Sequence, residues 1–249
     1  MIATAATSSP SDGAANAADS AAVELTDVSK SIDERAILRN ITLAIPAGQF
    51  VTVLGANGTG KSTLLKILST LIAPSSGELK LFGKTASATS ADLRRRIALI
   101  GHQSMLYRDL SARENLEFFA RLYRVSDPKA RATQMLNVIG LSDRAGDPVR
   151  TFSRGMIQRV AIARALVHNP DLLLADEPFD GLDAPSIDAL EHLLGQLHEA
   201  GKTIVMVNHD IAQSLRIAEH AIILRGGRVV VNQATHRLYE REVLSEVRS

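Results

Sequence analysis

The octapeptide "GANGTGKS", Gly55 to Ser62, follows the short apolar run "FVTVL" and opens a helical stretch, Lys61 to Leu71, that stops before Pro74. A buried strand that turns through glycines into a helix restricts the fold of this chain more than any other feature. Gly55, Gly58 and Gly60 let backbone N–H groups converge on an anion with no Cβ in the way. Ala56, Asn57 and Thr59 complete the loop, and Thr63 adds a contact at the helix N-terminus, where the dipole favours negative charge. Lys61 offers a point charge to the β and γ phosphates of a nucleotide, and the Ser62 hydroxyl is a ligand for Mg²⁺.

Strands and helices alternate around this loop. "VELTDV", "NITLAI" and "GELKLF" alternate apolar with polar residues, as half-buried antiparallel strands do. "FVTVL", "DLLLA", "TIVMV" and "AIILR" are continuous apolar runs of the kind found in buried parallel strands. The expected class is α/β: a P-loop core with an appended antiparallel sheet. Between Ser111 and Gly140 the punctuation is helical. Ser111 and Glu114 form a capping box, Leu116, Phe119, Ala120 and Tyr123 share a face, Asp127 and Pro128 fit Ncap and N1, and Gly140 fits C′. This block predicts a separate helical lobe over about 104–168 within one domain covering 23–249. The first twenty-two residues, rich in Ala, Ser and Thr, predict a disordered tail and lack the basic and apolar segments of a secretory signal.

Composition removes several classes of function. The chain has no cysteine, which excludes disulfides, thiolate metal sites and thiol catalysis. A formal net charge of +1 gives no general attraction to nucleic acid or to an anionic membrane. No apolar window reaches the length of a membrane span, so a membrane role requires a partner.

"LLLADEP", Leu172 to Pro178, is an apolar strand that ends in two carboxylates. Asp176 is placed to hold Mg²⁺ and Glu177 to orient and deprotonate an attacking water. Pro178 is expected to keep Glu177 extended at the sheet edge.

With "HQS" around Gln103, "FSRGMIQR" at Phe152–Arg159, "GLD" at Gly181–Asp183 and "VNHD" around His209, the chain from about Val23 to Asn232 resembles an ABC transporter nucleotide-binding subunit. The resemblance implies ATP and Mg²⁺ as cofactors. It implies that Gln103 reaches Mg²⁺ and the attacking water and meets the membrane subunit, that His209 contacts the γ-phosphate, and that Asp183 couples two sites. It also implies that Ser153 and the backbone of Gly155 cap the nucleotide of a second copy, giving a head-to-tail dimer at the cytoplasmic face of a membrane. Integral transporter subunits complete such an assembly.

Departures from the family pattern are localised. Phe152, Arg154 and Met156 replace the first, third and fifth residues of Leu-Ser-Gly-Gly-Gln; Arg154 is either an added cation along the phosphates or a solvated surface charge. Ile32 stands where an aromatic commonly stacks on adenine, and Asp180 where Ser or Thr is frequent. Arg94–Arg96, His192 and His198 are expected on the surface, and the pair Phe118 and Phe119 in the core or lining the groove for a coupling helix. His102 is either a partner contact or a loop residue.

"SRGM" followed by "QR", with "GHQSMLYRDLSARENLEFFARLYRV", is similar to the haem-exporter ATPases of cytochrome c maturation. ATPases of ABC-2-type drug or polysaccharide exporters share this vocabulary. A soluble ABC protein of DNA repair or translation is the reading from another class; those relatives need a coiled-coil or zinc insertion or a second cassette, which this sequence does not contain.

Overall fold

The computed structural model describes residues 21–86, 91–101 and 103–248. Residues 1–20 of the expected tail and His102 lie outside the described residues.

The strands form two sheets. β1 (Ala21–Ile32), β2 (Arg35–Pro46), β4 (Ser76–Leu81) and β5 (Lys84–Thr85) make an antiparallel sheet of order β2-β1-β4-β5. β3 (Phe50–Leu54), β6 (Ile97–Ile100), β7 (Leu172–Asp176), β8 (Thr203–Val207), β9 (His220–Arg225) and β10 (Arg228–Ala234) make a second sheet of order β10-β9-β3-β8-β7-β6. Its strands from β9 to β6 pair in parallel, and β10 pairs antiparallel with β9. The continuous apolar runs are thus the strands with helices or a second sheet on both faces. The tail boundary shifts slightly, because Ala21 and Ala22 already belong to β1 and Ala22 is fully buried.

The helices are α1 (Lys61–Leu68), α2 (Ala91–Arg95), α3 (Ala112–Leu122), α4 (Pro128–Val138), α5 (Arg154–Leu166), α6 (Ala184–Glu199), α7 (Ile211–Ile217) and α8 (Glu240–Arg248). α1 ends earlier than its sequence implies. Thr70 takes φ 61°, and the N–H groups of Thr70 and Leu71 donate to Ile67 O (2.9 Å) and Lys66 O (3.0 Å), closing a Schellman turn without glycine. Leu64, Leu65, Ile67 and Leu68 of this helix share one apolar cluster with Leu25, Ile41 and Leu81 of the antiparallel sheet and Val53, Leu174 and Val205 of the parallel one. The helix that follows the glycine loop is therefore clamped between two sheets, and the loop is fixed at its helical end.

The opposite face of the parallel sheet carries α3 to α6. The lobe caps form as expected: Ser111 accepts from Glu114 N–H while Glu114 Oε2 accepts from Ser111 N–H (2.7 Å), and Gly140 follows α4 at φ 64°. The lobe is not a separate core, since Leu116, Ala132 and Leu136 join Leu173, Ile204 and Met206 of the sheet in one cluster. α5 makes the connection, with Val160, Ala163 and Leu166 buried in the same cluster.

Some residues expected to be bland are engaged. Arg96 lies over the Phe82 ring at 3.6 Å and pairs with Asp171 at 2.6 Å. His198 meets the edge of Phe50 at 6.0 Å and Glu219 at 3.2 Å. Phe118 departs from core packing, being 40% exposed, whereas Phe119 packs against the cluster.

Candidate functional site

Four neighbouring parallel strands carry the expected site residues at their carboxyl ends. β3 leads into the glycine loop, β8 into Asn208 and His209, β7 into Asp176 and Glu177, and β6 into the segment of Gln103. Val53 pairs with Val207, Val207 with Asp176, and Ala175 with Ile100, so these ends lie along one edge. Such an edge, outside the carboxyl ends of an open parallel sheet, is where α/β folds bind ligands.

The loop from Gly55 to Gly60 is held by its own atoms. Thr59 Oγ1 donates to Ala56 O at 2.9 Å, while Lys61 Nζ donates to Gly55 O at 2.8 Å and Ala56 O at 2.9 Å. Gly60 sits at φ 103°, and a Cβ there would meet Leu38 Cδ2 at 2.6 Å, so only glycine can stand at this Ncap. No side chain caps α1, which leaves its first-turn N–H groups, those of Lys61, Ser62 and Thr63, directed at the loop. Lys61 is buried, and burial pulls its pKa below the ordinary lysine value against the opposing attraction of Glu177 and Asp176.

The loop meets the acidic strand at Ser62. Ser62 Oγ donates to Asp176 Oδ1 at 3.2 Å, and Asp176 is buried at the end of β7. A hydroxyl and a carboxylate oxygen converging in this way are hard donors of the kind Mg²⁺ takes, so the residues present fit that ion. Gln103 is exposed beyond the end of β6.

Glu177 is not extended. It adopts φ 52°, its N–H donates to Val207 O at 2.9 Å, and Asp180 N–H donates to its carbonyl at 3.2 Å. The pairing with β8 and the tight turn over Pro178 together outweigh the preference of a pre-proline residue for extended backbone. A non-glycine residue at such φ is uncommon and is tolerated where its surroundings hold it.

The "FSRGMIQR" segment opens α5 at Arg154, with Ser153 as Ncap accepting from Met156 N–H at 3.3 Å. Its neighbours lie in the turn after Glu177. Gln158 Nε2 donates to Pro178 O at 3.2 Å, the Arg154 guanidinium covers Gly181, and a Cβ on Gly155 would touch Ser186 Oγ at 3.7 Å. Asp183 caps α6 by accepting from Ser186 N–H at 3.2 Å; hydrogen bonding from the Ser186 side chain first, and from its backbone second, holds the Asp183 carboxyl below the usual range. Ser153 is exposed, so the helix end and its dipole face outward.

Sequence reasoning missed Asn115, and it marked Asp180 only as a departure from the family pattern. Asn115 is fully buried and grips the loop after Gln103, its Oδ1 accepting from Tyr107 N–H (2.8 Å) and its Nδ2 donating to Tyr107 O (2.9 Å). Asp180 faces His209 Nδ1 at 3.6 Å. Asn115 belongs to no local pattern that marks it, and no local pattern pairs Asp180 with His209.

Residues 38–180 match the family model described as ABC transporter. The chain is 35% identical over 227 residues to the ABC transporter ATP-binding protein NatA of Bacillus subtilis (strain 168), covering 88% of this chain and 92% of that protein. It is 38% identical over 206 residues to the aliphatic sulfonates import ATP-binding protein SsuB 2 of Pseudomonas aeruginosa (strain UCBPP-PA14), covering 82% and 72% of the two chains. Among solved structures it superposes with TM-score 0.78 and 34% identity on an ATP-binding cassette described as dimeric, post-hydrolysis and bound to ADP and Pi, over 86% of this chain and 98% of that one.

Proposed function

Because the chain belongs to the ABC transporter family of ATP-hydrolysing, ATP-binding subunits, we propose that its four-strand edge is one half of a composite ATPase site completed by a second copy. The Ser62–Asp176 contact across the glycine loop and β7 carries the reading, because it joins the phosphate-binding element to the acidic strand in one structure. Lys61 and the first-turn N–H groups of α1 bind the phosphates, and Ser62, Asp176 and Gln103 hold Mg²⁺. That ion, when bound, neutralises charge on the phosphates. Glu177 orients the attacking water and takes its proton, and His209 contacts the γ-phosphate.

Ser153 and the backbone of Gly155 cap the nucleotide held by the partner copy, with Asp183 beside them coupling the two sites. The outward Ser153 helix end supports this arrangement. Membrane subunits form the other partner. Met105, Tyr107, Phe118 and Leu122 leave apolar surface exposed just after Gln103, with Tyr107 and Phe118 in edge contact at 5.1 Å, and this patch suits a coupling helix. Among the described residues no helix is long and apolar enough to cross a membrane. We place the subunit peripherally, on the cytoplasmic face.

Export of haem for cytochrome c maturation is the cargo reading supported by "SRGM" and the Gly101–Val125 segment; one relative is named for the import of aliphatic sulfonates. Affinity purification of tagged Glu177→Gln protein from its native membranes with ATP, followed by mass spectrometry, tests both levels. Co-purifying integral subunits of cytochrome c maturation are the expected result. A different polytopic transporter overturns the cargo, and DNA or ribosome components overturn the transporter reading.

A further inference from the structure

Asp180 stands where a neutral hydroxyl is frequent in the family, and its carboxylate is placed among other polar groups of the site. Oxygen or nitrogen atoms of Glu177, Asp180 and His209 all lie within 4.8 Å of one another. A second carboxylate so close to Glu177 is unfavourable through like-charge repulsion unless a partner offsets it. His209 is that partner, with Nδ1 at 3.6 Å from Asp180 Oδ1. The backbone fixes the geometry on both sides. Asp180 N–H closes the turn on Glu177 O at 3.2 Å, and His209 follows the end of β8, whose Val207 O receives Glu177 N–H at 2.9 Å.

Stability does not account for the pair. The side chains are 68% and 40% exposed, and an ion pair so solvated is worth little to folding. The ring instead turns its Nδ1 edge toward the carboxylate. An imidazole whose Nδ1 edge faces a carboxylate presents Nε2 on its far side, and the partner at one nitrogen decides how the other is used. We propose that Asp180 is a positioning residue that orients His209 for its contact with the γ-phosphate. This rests on the reading of His209 as the phosphate-contacting histidine.

The test is a double-mutant cycle on the full-length chain, reading steady-state ATP hydrolysis and nucleotide binding for Asp180→Ala, His209→Ala and the double variant. Asp180→Ala should lower kcat roughly fivefold, a typical coupling between contacting residues, and leave KM for ATP nearly unchanged. In the His209→Ala background the same change should cost nothing further. Asp180→Asn, which keeps an oxygen facing Nδ1, should recover most of kcat and serves if the alanine variant fails to fold. Equal losses in both backgrounds, or wild-type kcat in Asp180→Ala, overturn the proposal. Wild-type turnover in His209→Ala overturns the underlying reading of the histidine and the proposal with it.

Discussion

The guanidinium of Arg154, at the start of α5, lies over the backbone of Gly181, where a β-carbon would overlap it. Gly181 also sits at φ 72°, so two effects oppose any side chain there. The arginine tip can swing aside, whereas the backbone strain of a left-handed alanine is about 1 kcal/mol and cannot relax. Gly181→Ala should therefore lower unfolding free energy by about 1 kcal/mol in urea denaturation, and by a similar amount in an Arg154→Ala background. Arg154→Ala alone should leave the salt dependence of ATP-induced dimerisation unchanged, because the guanidinium is engaged with its own chain. A flattened salt dependence would instead place that charge on the partner's nucleotide.

Ser62 and Asp176 approach to 3.2 Å from different elements, and both are assigned to Mg²⁺. Asp176→Asn should lower Mg²⁺-dependent hydrolysis by about two orders of magnitude, the equivalent of a few kcal/mol of charge stabilisation. Chelation with EDTA should abolish turnover without unfolding the chain, as read by circular dichroism beside the ATPase assay.

His168 gives the fold a pH dependence. Its ring stacks on Tyr123 at 3.9 Å and its Nε2 meets Ile97 O at 3.1 Å. Burial pushes its pKa from 6.5 down to about 4, with the Ile97 carbonyl opposing and the Arg164 and Arg131 charges adding to the drop. Between those values the unfolded chain holds the extra proton and the folded chain does not. Stability is then highest above pH 6.5 and declines as pH falls toward 4, by up to about 3 kcal/mol. Urea midpoints measured across that range should show the decline, and His168→Gln should flatten it.

Ile32 is 46% exposed at the end of β1, beside a two-residue hairpin turn in which Asp33 and Glu34 both take positive φ. An exposed aliphatic side chain offers a base apolar contact without aromatic stacking, which is worth about 0.5–1.5 kcal/mol. ATP and GTP should bind with similar affinity, and Ile32→Tyr should tighten both, as measured with fluorescent nucleotides.

The parts of this molecule legible in its sequence are those set by local chemistry. The Ser111–Glu114 capping box, the Pro128 and Gly140 limits of α4, and the strand types all follow from residues within a few positions of each other. The glycine loop was legible for the same reason. Features set by strand register were not. Glu177 owes its left-handed backbone to Val207 across the sheet, Asp180 meets His209 only because β7 and β8 pair, and Arg154 reaches Gly181 only when α5 packs beside that turn. The end of α1 is hidden in the sequence because Thr70 takes a backbone conformation usually marked by glycine.

The central claim is that Glu177 activates water in a site that a second copy completes. The most direct measurement compares Glu177→Gln with wild type by ATP turnover and by size-exclusion chromatography with and without ATP. The account predicts nucleotide binding near the wild-type level, turnover lowered about a thousandfold, within the range for loss of a general base, and an ATP-dependent dimer. Wild-type turnover in the variant would contradict the role of Glu177, and a monomer that persists with saturating ATP would contradict the shared site.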